Sequence, residues 1–195
     1  SDDLITISRT NRPSTVHRRA RMEYFGVKRF ESGRVAGEFR VLGLFTRQGY
    51  AEPARTTPLL RRKLEGLLDR EDVVPGSHDE AAIVSLFQAL PKDELFQSDL
   101  DTVHATVMGL LRAEEQHGVT LATRVDAFTR TVSVVAAVPR DRYSPELRRR
   151  FTDVLLDRYH GTGVDVDLSL GDRPDALVRF SVRVPTQIIP EVSTR

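Results

Sequence analysis

"VVAAVPRDRYSPELRRRF", residues 134–151, carries an apolar run into a charged loop and then into the start of a helix. Ser144 suits the cap position, Pro145 the first helical position, and Glu146 the positive end of the helix dipole. Beyond them Leu147, Phe151, Val154, Leu155 and Tyr159 recur on one helical face, with Gly161 expected in the left-handed conformation after the last turn. A strand that feeds an amphipathic helix must bury both against a common layer, so its neighbours decide the fold.

Upstream, "VTLATRVDAF" (119–128) and "RTVSVVAAVP" (130–139) read as strands joined through residues 126–129. They follow a helix that starts at Ser98, carries Leu100, Val103, Val107, Leu110 and Leu111 on one face, and ends near Gly118. Downstream, "VDVDLSL" (164–170) and "LVRFSVRV" (177–184) alternate with period two about the turn "GDRPDA" (171–176). Asp165, Asp167 and Ser169 on one strand and Arg179, Ser181 and Arg183 on the other read as outward residues, with opposite charges facing across the hairpin. The order α-β-β-α-β-β predicts a four-stranded sheet with two helices on one face. This is an α+β plait of the ferredoxin-like kind, with its first helix and one strand supplied in permuted order.

The first part reads as antiparallel β, over 4–10, 15–30 and 34–46, with Glu31-Ser32-Gly33 as a hairpin connection. Two helices follow. One starts near Pro58 and aligns Leu60, Leu64, Leu67 and Leu68. The other carries Ser77 and Glu80 at capping-box spacing, Ile83, Phe87 and Leu90 as its stripe, and Pro91 as its stop. The expected organisation is a β-rich module with two helices over 1–92, a plait over 93–190 and a tail or linker over 191–195. The boundary is expected near 91–98.

Composition narrows the function. The 195 residues allow one large or two small domains; 39% are hydrophobic and 29% charged, as in ordinary water-soluble domains. A net charge of +1 removes the simplest argument for a nucleic-acid or membrane partner. The absence of cysteine rules out disulfides and thiolate metal sites and fits a reducing cytosol. No apolar run reaches the roughly 18 to 20 residues of a membrane span. "SDDLITISRT" at residues 1–10 lacks the basic-then-apolar order of a signal peptide and begins without methionine, so the chain is expected to be part of a longer protein. Lysine occurs only at Lys28, Lys63 and Lys92. The arginines are scattered through every segment, which reads as composition bias rather than as a guanidinium-built site.

Little in the sequence supports catalysis. His17, His78, His104, His117 and His160 include no pair at helical ligand spacing. "HGTGVD" (160–165) follows a helix and precedes a strand, the reverse of a dinucleotide fingerprint, and reads as a helix C-cap. Glu114-Glu115 and Glu71-Asp72 read as solvated helix ends. Residues 131–138 offer no aromatic on which a base could stack, so the plait does not read as an RNA-recognition module. A free-standing enzyme would need an acid/base site that no motif here displays.

Several unusual words in fixed order carry a resemblance: "RMEYFGVKRFESGRVAGEFRVLGLFTRQGY" (21–50), "PLLRRKLEGLL" (58–68), "PGSHDEAAI" (75–83), "LPKDELFQS" (90–98) and "AVPRDRYSPELRRRF" (137–151). Together they resemble the N-terminal region of large-type bacterial NAD-specific glutamate dehydrogenases, over residues 5–184. The resemblance implies a multi-domain, homo-oligomeric, cytoplasmic oxidoreductase of amino-acid catabolism. It would deaminate L-glutamate to 2-oxoglutarate and ammonium with NAD, its dehydrogenase domain lying elsewhere in the chain. It also implies that this region is regulatory and ACT-like, with no catalytic, cofactor-binding or metal residue of its own and NAD held only by the parent enzyme. The first module would be PAS-like or ACT-like. Its implied partners are the parent's other domains, further copies of the chain and an amino-acid effector, with no nucleic acid or membrane. ACT modules use a strand-loop-helix corner to hold effectors, which places the effector or interface candidates at Arg140, Asp141, Arg142, Tyr143 and Ser144. Such corners carry a glycine just before the helix, where Tyr143-Ser144-Pro145 stands here. The alternative implied is therefore a purely structural docking or oligomerisation module.

Overall fold

The computed structural model describes residues 4–16, 19–126, 130–169 and 173–185. Two compact units divide at Pro53 and Ala54. The joining residues 127–129, part of the "GDRPDA" turn, His17 and the 191–195 tail lie outside the described residues.

The first unit is an antiparallel sheet of β1 (Ile5–Pro13), β2 (Arg21–Glu31) and β3 (Arg34–Gly43), in that order, followed by the short helix α1 (Arg47–Ala51). Glu31 pairs with Arg34, leaving Ser32 and Gly33 as a two-residue turn with φ of 51° and 75°. Positive φ at both central residues matches the right-handed strand twist, and the glycine accepts it without a Cβ clash. The register puts Ile5, Ile7, Phe25, Val27, Phe39 and Val41 on one face. Phe45 meets Phe25 and Tyr50 edge-on, at centroid distances of 6.0 and 5.4 Å. On the other face Tyr24 donates to Glu38 (2.6 Å), which also accepts from Arg40 (2.8 Å).

The second unit contains α2 (Pro58–Arg70), α3 (His78–Ala89), α4 (Lys92–Gln97), α5 (Leu100–Glu115), β4 (Thr120–Asp126), β5 (Thr131–Pro139), α6 (Pro145–Arg158), β6 (Gly163–Ser169) and β7 (Asp175–Arg183). Its sheet is antiparallel between neighbours, in the order β4-β5-β7-β6. The β5-α6-β6 crossover therefore spans β7, the split βαβ of a ferredoxin-like plait, with β4 added from upstream. Ser144 caps α6 by accepting from the Leu147 amide at 3.1 Å, as the sequence predicts.

Three expectations are corrected. The two helices do not share a face. Val132, Val134, Ala136 and Val138 pack with Val178, Phe180 and Val182 under α6, where Phe151 stacks on Phe180. The alternate residues of the same strands, Ser133 and Arg179, are bonded instead to α4. Helices therefore cover both sides of the sheet, which is why every residue of β5 from Thr131 to Val138 is buried. The stretch near 91–98 is not a boundary but one of the most enclosed segments. Lys92, Asp93, Glu94, Leu95 and Phe96 are all buried in α4, and α2 and α3 belong to the same compact unit as the plait. Their apolar faces (Leu60, Leu64 and Leu67; Ile83, Leu86 and Phe87) are buried there. Finally, His160 rather than Gly161 takes the left-handed conformation, at φ 48°. Gly161 is needed for space: a Cβ there would stand 2.6 Å from Val182 Cγ1.

Candidate regulatory site

The loop after β5 is a tight corner. The Arg142 and Tyr143 amides fold back onto the Pro139 carbonyl at 2.9 and 3.1 Å, and the Arg140 amide reaches the Pro174 carbonyl (3.1 Å), joining it to the start of β7. Arg140, Asp141 and Arg142 are exposed. Tyr143 packs its ring on the α6-side core, and Ser144 is engaged in the helix cap. Thus three of the five candidates project outward, and two are engaged in core packing and the helix cap. Next to it, burial raises the Asp175 carboxyl above its ordinary value. Glu114 and Asp141 push the same way, opposed by Arg173 and His117.

Sequence reasoning missed the polar layer beneath the helices. Asp93 on α4 pairs with Arg179 of β7, whose guanidinium also pairs with Asp167 of β6. Arg179, read as an outward residue, is 4% exposed. Its register partner is Asp167, so the expected opposite charges do face across the hairpin. Burial works against the Arg179 charge, but the two carboxylates outweigh it and hold the guanidinium firmly protonated. One residue along α4, Glu94 accepts from Arg124 Nε and Nη2 (2.6 and 3.2 Å), from Ser133 Oγ (2.8 Å) and from Ser98 Oγ (3.4 Å). Arg124 further donates to Gln97 at 3.0 Å. Burial opposes the charge of Arg124 too, and Glu94 overcomes it.

Lys63 on α2 completes the layer. Its ammonium donates to the carbonyls of Leu95, Phe96 and Ser98 at 2.6, 3.1 and 2.6 Å. These carbonyls lie at the end of α4, where helix groups lack intrahelical partners and the dipole favours a cation. Burial pushes the lysine down to about 8, with Asp99 resisting and Arg124 assisting. A third tie runs from Arg173, which pairs with Glu114 of α5 and donates to Ser85 of α3 at 2.8 Å. Asp93 and Glu94 thereby fasten α4 to one face of the sheet, Lys63 ties α2 to α4, and Arg173 ties α3 and α5 to the loop before β7. The signal for them lay in "LPKDELFQS" and in Ser133, the polar break in an apolar strand.

The described residues do not fit NAD. The strands are antiparallel to their neighbours, no glycine-rich turn leads from a strand into a helix, and "HGTGVD" closes α6 against Val182. Among the described residues no His, Asp or Glu group is placed to hold a metal ion. No helix among them is long and apolar enough to cross a membrane.

Comparison with known proteins matches this architecture. Residues 57–116 match the family model for glutamate dehydrogenase, helical motif 1, and residues 120–195 that for the glutamate dehydrogenase ACT2 domain. The division between them falls between α5 and β4, so α5 goes with the helical motif rather than with the plait. The chain is 33% identical, over 92% of its length, to an NAD-specific glutamate dehydrogenase of Halomonas elongata. It is 30% identical over 93% to that of Pseudomonas aeruginosa and 26% over 94% to that of Mycobacterium tuberculosis. In each case the chain spans 11% of the relative's length.

Proposed function

The chain belongs to the NAD-specific glutamate dehydrogenase family, and we propose that it is a non-catalytic regulatory and assembly segment of such an enzyme. The parent would be a cytoplasmic homo-oligomer that oxidatively deaminates L-glutamate to 2-oxoglutarate and ammonium with NAD. The observation that carries the reading is the buried ion-pair layer, which makes the helical motif and the ACT2 sheet one body while the Arg140–Arg142 tip stays exposed. Contact made at the tip by an effector, by another domain of the parent or by a second copy would be transmitted through β5 and β7 to the helices. Whatever binds one arrangement better than another shifts its population, and so the activity coupled to it.

An amino-acid effector at the corner is favoured by the outward Arg142, whose guanidinium fork suits a carboxylate. Against it stands the Tyr143-Ser144-Pro145 approach, already filled by core packing and capping. Calorimetric titration of the chain with each proteinogenic amino acid tests this. Saturable heat that disappears in Arg142→Ala supports effector binding. No heat for any of them overturns it and leaves the docking reading, in which removing the segment from the parent disrupts the oligomer.

A further inference from the structure

Between the end of α2, the start of α3 and the outer face of α5 lies a groove of about 350 Å³, open to solvent. We propose that it receives a basic segment of another polypeptide, one that sets an aliphatic side chain into the groove with lysines or arginines on either side of it.

The floor is apolar: Ile83 of α3 with Met108 and Leu111 of α5. Met108, Leu111 and Glu115 follow at helical spacing on a stripe of α5 separate from Val103, Val107, Leu110 and Ala113, which are buried. Val74 stands at the mouth with 69% of its surface exposed. The rim is charged with one sign, by Glu71 and Asp72 after α2, Asp79 in the first turn of α3 and Glu115 at the end of α5, and no lysine or arginine lines the groove. Of the four, Glu71 is bonded to His104.

The walls are built before any partner arrives. Ser77 caps α3 by accepting from the Glu80 amide (3.1 Å), and the Glu80 carboxylate accepts from the Gly76 amide (2.6 Å), one residue before the cap, which fixes the connection. Asp72 and Gly76 hold left-handed backbone there, at φ 48° and 80°.

Charge complementarity decides the occupant. An acidic ligand is repelled by the rim, and an inorganic cation gains nothing from an apolar floor. Carboxylates on three separate elements call for several cations spaced around one apolar anchor, which a basic amphipathic segment supplies. A small polyamine has the charge without the anchor.

The test uses the 195-residue chain with labelled methyl groups and a synthetic twelve-residue peptide bearing one leucine flanked by arginines. The peptide is expected to shift the Ile83, Met108 and Leu111 methyl signals saturably. Affinity should fall at least tenfold when its leucine is replaced by serine, and at least tenfold in the Asp79→Asn/Glu115→Gln variant. Both substitutions are at exposed positions, and the variant's methyl spectrum reports whether it is folded; Glu115→Gln alone serves if the pair is not. The proposal is overturned if the groove methyls do not move, if the variants bind within twofold of the parent chain, or if spermidine alone moves the same methyls with equal affinity.

Discussion

Replacing Asp93 with alanine probes the strongest link between helix and sheet. The Asp93 and Arg179 side chains are 1% and 5% exposed, so both charges are desolvated and depend on each other. The other partner, Asp167, is 57% exposed and screened by solvent, so it offsets only part of the loss. Removing one member of a buried pair leaves an uncompensated charge, which costs about 3–5 kcal/mol. For a unit of this size each kcal/mol lowers the melting temperature by roughly 2–4 °C, so a fall on the order of 6–20 °C is expected. The companion Asp93→Leu/Arg179→Met carries the argument further. It removes both charges together and keeps apolar volume, and such replacements are often neutral or stabilising. Calorimetric melting of the wild type and both variants checks the pair. A loss under about 1 kcal/mol for Asp93→Ala would place the pair among solvated ones and rule out a desolvated link. So would a double variant as unstable as the single one.

Three further outcomes follow from the same geometry. Ser144→Ala removes the α6 cap and should lower stability by about 1 kcal/mol in denaturant titration, leaving the far-ultraviolet spectrum unchanged. Gly161→Ala drives a methyl into fully buried Val182 and should cost roughly 1–3 kcal/mol by the same measurement; a neutral result would mean that the α6–β6 connection yields freely. Lys63 titrates near 8 when folded against 10.5 in its ordinary state. The unfolded chain therefore holds the extra proton between those values, and this residue's contribution to stability rises with pH across that window. Stability curves from pH 7.5 to 10.5 should show a rise in the wild type that Lys63→Met flattens.

How far the fold is legible in the sequence differs by segment. The α6 start was readable because caps are local: Ser144, Pro145 and Glu146 act on amides within one turn. The strand-helix order was readable because periodicity needs no knowledge of partners. The face on which α5 lies was not, since an amphipathic helix shows which stripe it buries and not against what. The continuous apolar run of β5 was the clue, because a strand covered on one side alternates and one covered on both does not. The α4 segment failed for a related reason. The stretch after Pro91 was read as a boundary, and only the distant Arg179 and Arg124 make the burial of Asp93 and Glu94 tolerable. Gly161 was expected to supply a left-handed backbone, yet its role is to leave room for Val182, a contact 21 residues away along the chain. Whether Tyr143 pointed to solvent or core depended on the opposite strand, which no local rule encodes.

If the helical motif and the ACT2 sheet act as one body, native-state hydrogen exchange will show it. Core amides of α5, β5 and β7 are expected to exchange through a common opening, and Asp93→Ala to lower their protection together by the same free energy. Helix amides that open well below the β5 and β7 amides, and that alone respond to Asp93→Ala, would contradict it.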